Sequence, residues 1–166
     1  MGNSTNPAVI SARGQAAPTG TSDIAIGRIR VLGRVEFGQI VAGVDPAGVA
    51  PNADAQIGTV FVGGDWVASS IAAGATGGSN GVFGDPDDAK ISGPGVKDEA
   101  GIFSRIRSLF IAGQALGTVG GTDHFGVVAE KVSAVTIGGA VFAITIGNGN
   151  DDIAVGITGD FRVNEI

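Results

Sequence analysis

Apolar residues along this chain recur in short alternating runs, each closed by a glycine. Ile29 and Val31, Val60 and Val62, Leu109 and Ile111, and Val135 and Ile137 lie two positions apart. Each pair is preceded three positions earlier by Ile26, Ile57, Ile106 or Val132, and followed two positions later by Gly33, Gly64, Gly113 or Gly139. Alternation with period two predicts strands that bury one face. The runs are copies of one unit. Residues 26–44 read IGRIRVLGRVEFGQIVAGV and residues 57–75 read IGTVFVGGDWVASSIAAGA, so an offset of 31 superimposes them without a gap. Further copies begin 49 residues later at Ile106 and 26 after that at Val132, and a fragment (Val155, Ile157, Gly159, Asp160, Phe161) echoes Gly64-Asp65-Trp66.

A single copy cannot bury its own apolar face, whereas stacked copies can. The expected fold class is therefore all-β, a parallel β-solenoid or β-helix-like repeat with inserted loops. A β-sandwich is the alternative, because it too shows short strands with regular turn signals. Unequal spacing fits stacking if extra residues leave at one place in each copy. Segments 44–56 and 75–105, rich in Gly, Pro, Asn and Asp, both follow the second half of a repeat. The closing glycines are read as sharp bends at corners. Residues 66–75, rich in Ala and Ser, admit a short helix, but their aligned partner 35–44 is β-branched and favours a strand. One repeat domain is expected over 24–166, with 1–23 as a flexible or capping segment. Phe61 would point outward, in line with Arg30, Phe110 and Thr136. Phe61 and Phe110 are thus candidates either for cover by a loop or for an interface.

Composition narrows the classes. The 166 residues include 30 Gly, 19 Val, 17 Ile, 3 Leu, 1 His and no Cys, and 43% are hydrophobic. That excludes a disulfide scaffold, collagen, a disordered chain and a Leu-rich helical bundle. A formal charge of −6 argues against nucleic acid as partner. No run has the length of a membrane-spanning helix, and MGNSTNPAV lacks the basic and apolar regions of a signal peptide.

The text VGGDWVASSIAAGA, with DHFGVVAEKVSAVTIGG and GDFRVNEI, resembles the glycine-rich β-strand-repeat segments near the C-termini of very large bacterial extracellular proteins. The resemblance covers roughly residues 24–166. It implies a parallel β-helix-like fold, an extracellular or cell-surface location and a structural or adhesive role, in company with calcium-binding repeats. It carries over no active-site residue.

Among motifs that carry chemistry, calcium comes first. Asn80, Asp85, Asp87 and Asp88 lie within SNGVFGDPDD, where oxygen ligands are dense and Gly81 and Gly84 let the chain fold around an ion. The same segment also reads as a polar turn around Asp85-Pro86. Residues 147–153, GNGNDDI, match most of the calcium-binding nonapeptide of β-rolls, with Asp151 as ligand and Ile146 in place of the first Gly. Asp45, Asn52 and Asp54 form a third acidic loop. Enzymatic motifs are weaker. His124 follows Asp123, yet no G-x-S-x-G elbow accompanies it. Asp65 and Asp160 align in the repeat, and as a stacked pair they would suit a carbohydrate-active β-helix. Arg28, Arg30 and Arg34, with Arg105 and Arg107, are read as a salt-bridged outer face. The expected role is a non-catalytic structural or adhesive module. The alternatives are a self-assembling subunit and a polysaccharide lyase or glycosidase. Expected partners are further copies or neighbouring repeats, or a carbohydrate or surface ligand, without nucleic acid or membrane insertion.

Overall fold

The computed structural model describes residues 2–118, 120 and 123–166, and all its regular structure is β. In chain order the strands are β1 (Ala8–Ala12), β2 (Asp23–Val31), β3 (Val35–Glu36), β4 (Gly38–Ala42), β5 (Ala55–Val62) and β6 (Trp66–Val67). They continue as β7 (Ser70–Ala73), β8 (Ala75–Thr76), β9 (Ala89–Lys90), β10 (Arg105–Ile111), β11 (Ala115–Leu116) and β12 (Phe125–Ala129). The last five are β13 (Lys131–Val132), β14 (Val135–Ile137), β15 (Ala140–Phe142), β16 (Asp152–Ala154) and β17 (Phe161–Glu165). The expected strand over 66–75 is present as β6, β7 and the start of β8.

Three sheets organise these strands. The first runs β1-β4-β7-β12-β17-β16, the second β2-β5-β10-β14-β15 with β13 also beside β10, and the third β3-β6-β11. The chain visits them in the order second, third, first, and does so three times over, as β2–β3–β4, β5–β6–β7 and β10–β11–β12. Pairing within the three sheets is parallel until the far end, where β15 and β16 turn antiparallel to β14 and β17. The register joins the residues that self-alignment superimposes. Ile26 lies beside Ile57, Ile57 beside Ile106, and Ile106 beside Val132, while Val35 lies beside Trp66 and Ile40 beside Ile71.

The core fills the space these sheets enclose. Ile57, Val60, Val62, Ile71, Ile106, Leu109, Ile111, Val127, Val135 and Val163 are buried there. Trp66, its largest side chain, is wholly buried between the shorter Val35 and Ala115 of the neighbouring strands. Its indole N–H donates to the Ser69 carbonyl at 2.8 Å, so the one polar atom of the ring is satisfied.

The glycines serve two purposes. Gly43 and Gly74, where the chain leaves the first sheet, have φ of +97° and +60°, which favours glycine. Gly64 and Gly113, expected as bends, do stand at bends between the second and third sheets, though neither has a left-handed backbone. They are small because layers touch there: a Cβ on Gly113 would lie 2.2 Å from an Asp65 carboxylate oxygen and 2.8 Å from the Gly64 carbonyl carbon.

Two expectations change. At the fourth copy the chain does not turn the corner; Gly138 and Gly139 (φ +59° and +82°) make a tight hairpin that folds β15 back onto β14. In the final fragment Ile157 is exposed, and Phe161 pairs with Phe125 in the first sheet rather than repeating Trp66 in the third. Residues 8–12, within the segment expected as flexible or capping, form the terminal strand β1, in register on β4. The two long inserted segments, 43–54 and 74–104, both run between the first sheet and the second, but the connection from β11 to β12, between the third sheet and the first, is also longer than its counterpart from β6 to β7.

Replacing Trp66 removes the widest part of this core. Trp66→Ala is expected to lower the unfolding free energy by about 3–5 kcal/mol. Leu32→Ala, at a side chain 72% exposed, should change it by less than about 0.5 kcal/mol. Urea unfolding followed by circular dichroism measures both.

Candidate functional site

Polar chemistry concentrates where the chain passes from the first sheet to the second. Each passage places a buried polar side chain that satisfies backbone groups of the next segment. Asp23, fully buried, accepts hydrogen bonds from the Gln15 N–H (2.6 Å), from Asn52 Nδ2 (2.8 Å) and from the Lys97 ammonium. Burial pushes its carboxyl up, but Lys97 and the other donors outweigh this and hold it below the usual range. Asp54 receives the Glu99 N–H on both oxygens; burial is the larger effect there and raises its carboxyl. Glu130 accepts from the Ser104 N–H at 2.8 Å and from Lys90 Nζ at 3.0 Å, and Glu165 accepts from the N–H groups of Val132 (2.7 Å) and Asn150 (3.1 Å). These groups bind inserted loops to the strands. Sequence reasoning missed these contacts, because most of the partners lie far apart in the chain, at separations from 8 to 74 positions.

Asp45, Asn52 and Asp54 accordingly divide. Asp45 caps its own turn through the N–H groups of Ala47 and Val49 and pairs with Arg13 at 3.0 Å, whereas Asn52 and Asp54 belong to the buried passage.

The acidic insertion is folded on itself. Asn80 Nδ2 donates to Asp85 at 2.7 Å, and Asp87 accepts from both the N–H and the hydroxyl of Ser79. Asp88 Oδ2 accepts from the Gly84 N–H at 2.8 Å and from Asn164 Nδ2 at 3.2 Å. Its other oxygen is buried without a hydrogen-bond partner, and burial, with Asp85 adding to it, pushes this carboxyl up to about 6. Asp151 is held elsewhere, accepting from the Thr145 N–H at 2.8 Å. Among the described residues no three acidic, His or Cys side chains form a group that could hold a metal ion.

His124 and Asp123 line a cleft of about 380 Å³ with Asn3, Ser70, Phe83 and Thr118. Asp123 accepts from the Thr118 hydroxyl at 3.2 Å, and His124 has no side-chain hydrogen bond to a hydroxyl among the described residues. Asp65 and Asp160 do not stack. Asp65 accepts from the Gln114 N–H at 2.9 Å where the chain enters the third sheet, and Asp160 accepts from the Thr118 N–H at 2.7 Å where it enters the first. Each caps a neighbouring layer instead of pairing with the other.

The outer face of the second sheet is the remaining candidate. Phe61 and Phe110 are register partners on β5 and β10; their rings stack at 5.3 Å and 4°. Arg30, beside Phe61 in the register, lies over that ring at 5.4 Å. The phenyl rings cover one another, and Phe110 remains 37% exposed. Of the five arginines expected to be salt-bridged, Arg34 pairs with Glu36, whereas among the described residues Arg28, Arg30, Arg105 and Arg107 have no carboxylate within 4 Å.

No family model matches the chain, and no curated protein or solved structure matches it either.

Because the folded Asp88 carboxyl titrates above the ordinary carboxylate value of 3.8, it costs stability progressively as pH rises from about 4 to about 6. Asp88→Asn is therefore expected to gain stability relative to the native chain across that range. The gain is on the order of 1 kcal/mol, reduced from the full shift because the side chain is only half-buried. Urea titrations at a series of pH values read it, and a constant difference would refute it.

Proposed function

We propose that this chain is a non-catalytic structural and adhesive module of a bacterial secreted or cell-surface protein, built as a parallel β-solenoid. The observation that carries this reading is the register: three successive turns of chain lay identical positions of three sheets on one another. The two long inserted segments leave at one passage. A stack of this kind is rigid along its axis, presents long flat faces and can be lengthened by adding turns. Its polar side chains are spent on tying loops to strands, which is the work of a scaffold.

Association of one copy with another, end to end, is a second reading with its own support. Most large apolar side chains left exposed lie at the two ends of the stack: Val9, Ile10, Ile24 and Leu32 at the first, Val141, Ile146 and Ile157 at the last. At the first end a hollow of about 270 Å³ is lined by Ile10, Ile29, Val31, Val35 and Ile40, and β1 and β2 have unpaired edges. Unpaired edges recruit strands from other chains.

Calcium belongs to the same proposal as a stabiliser of the acidic insertion. The unpartnered Asp88 oxygen, with Asp85 and Asn80 near it in the loop, would offer hard ligands to such an ion.

Sedimentation velocity over a wide concentration range tests association. Oligomers should form with the native chain and diminish with Ile10→Asp, and a strict monomer at high concentration would overturn the end-to-end reading. Thermal unfolding tests the ion: the melting temperature should rise with added calcium and fall with chelator, and Asp88→Asn should abolish the response. An unmoved melting temperature would remove calcium from the proposal.

A further inference from the structure

The cations of this protein divide without remainder. Of ten Lys and Arg, the five outside the second sheet (Arg13, Arg34, Lys90, Lys97 and Arg162) each pair with a carboxylate. The other five, Arg28, Arg30, Arg105, Arg107 and Lys131, all lie on strands β2, β10 and β13 of that sheet, and none has a carboxylate within 4 Å among the described residues. The strands of the sheet hold one acid, Asp23, which is buried and already bound to Lys97. In a chain of net charge −6, one face is thus wholly basic and every other cation is neutralised.

The rest of the face describes what such a surface would take. Arg28, Thr59 and Ser108 share one column of the register, Arg30, Phe61, Phe110 and Thr136 a second, and Gln56, Arg105 and Lys131 a third. Adjacent strands lie about 4.8 Å apart, so the two arginine-bearing strands β2 and β10 are separated by about 10 Å, with hydroxyl groups of Thr59 and Ser108 in line with Arg28. Arg105 Nε is buried without a hydrogen-bond partner, and its guanidinium otherwise reaches only Gln56, at 3.5 Å. The face therefore pairs spaced cations with neutral hydroxyls and an amide. The Phe61 ring lies between Arg30 and Phe110, so of the two stacked rings only Phe110 offers aromatic surface, and a row of bases has no series of rings to stack on.

We propose that the outer face of the second sheet binds an acidic polysaccharide, with Arg28, Arg30, Arg107 and Lys131 meeting its anionic groups and Thr59, Ser108 and Thr136 meeting its hydroxyls. Guanidinium groups recognise carboxylate and sulfate through paired hydrogen bonds, and a hydroxyl-rich polymer matches the polar residues between them. This deepens the adhesive reading and rests on it. Self-association tests the scaffold independently, so failure of glycan binding would leave that result standing.

The test is binding of the whole chain to immobilised polygalacturonate and dextran sulfate at low salt, with neutral dextran, a DNA duplex and phosphatidylserine vesicles as comparators. The acidic glycans should be retained, neutral dextran should not, and retention should weaken as salt is added. Affinity should fall about tenfold or more in Arg28→Gln/Arg30→Gln/Arg107→Gln, and be unchanged in Arg34→Gln, whose arginine pairs with Glu36 off this face. Thr136→Glu, which adds a carboxylate while keeping every arginine, should weaken binding as well, and circular dichroism melts establish that both variants are folded. The proposal is overturned by absence of glycan binding at low salt, by native affinity in the folded variants, or by retention of DNA or vesicles without the acidic glycans.

Discussion

Every strand in this protein depends on the strand laid beside it, because no layer can bury its own apolar face. Val60 and Val62 on β5 are shielded only when Ile29 and Val31 lie on one side and Leu109 and Ile111 on the other. The same pairing satisfies the peptide groups of the inner strands, so burial and hydrogen bonding are achieved in one step and in one register. A slip by one residue would turn the whole Ile/Val row outward. That constraint explains why glycines stand where adjacent layers touch: with Gly27 carbonyl oxygen 2.0 Å from where a Gly58 Cβ would sit, a side chain there would force two layers apart.

The polar side chains follow from this arrangement. Loops of unequal length must leave the stack somewhere, and wherever they leave, backbone groups lose their strand partners. Asp23, Asp54, Ser104, Glu130 and Glu165 stand at those places and accept the orphaned N–H groups, or, for Asp23, the Lys97 ammonium. An unpartnered buried carboxylate would be costly. Each therefore acts as a strut, and this accounts for much of the buried charge in a chain whose overall charged content is low. The carboxyls of Asp88 and Asp160 are exceptions, since one oxygen of each is buried without a donor.

Electrostatics then separates the surfaces. Carboxylates are distributed over the loops, corners and ends, where half of the cations meet them. The other half are gathered on the outer face of one sheet, where the outward positions of neighbouring strands are Thr, Ser, Phe and Gln. A repeat unit imposes this economy: positions that face inward are fixed as apolar by the core, so any functional variation between copies must appear on outward positions such as Arg30, Phe61, Phe110 and Thr136.

By itself the sequence determined the all-β class, the copies at spacings of 31, 49 and 26, the inward rows of Ile and Val, and the alignment of Phe61 with Phe110. These are legible because stacking demands the same residue type at the same place in successive turns, and that demand is written as local periodicity. Tertiary structure alone decided that layers touch at Gly64 and Gly113, that the fourth copy folds back at Gly138-Gly139, and that Asp65 and Asp160 cap different sheets. It also decided which cations are neutralised. A salt bridge such as Lys97 to Asp23 joins residues far apart in the chain, and neither residue type nor spacing records that meeting. The unpaired arginines become visible only when the strands that could have offered them carboxylates are set beside them and offer none.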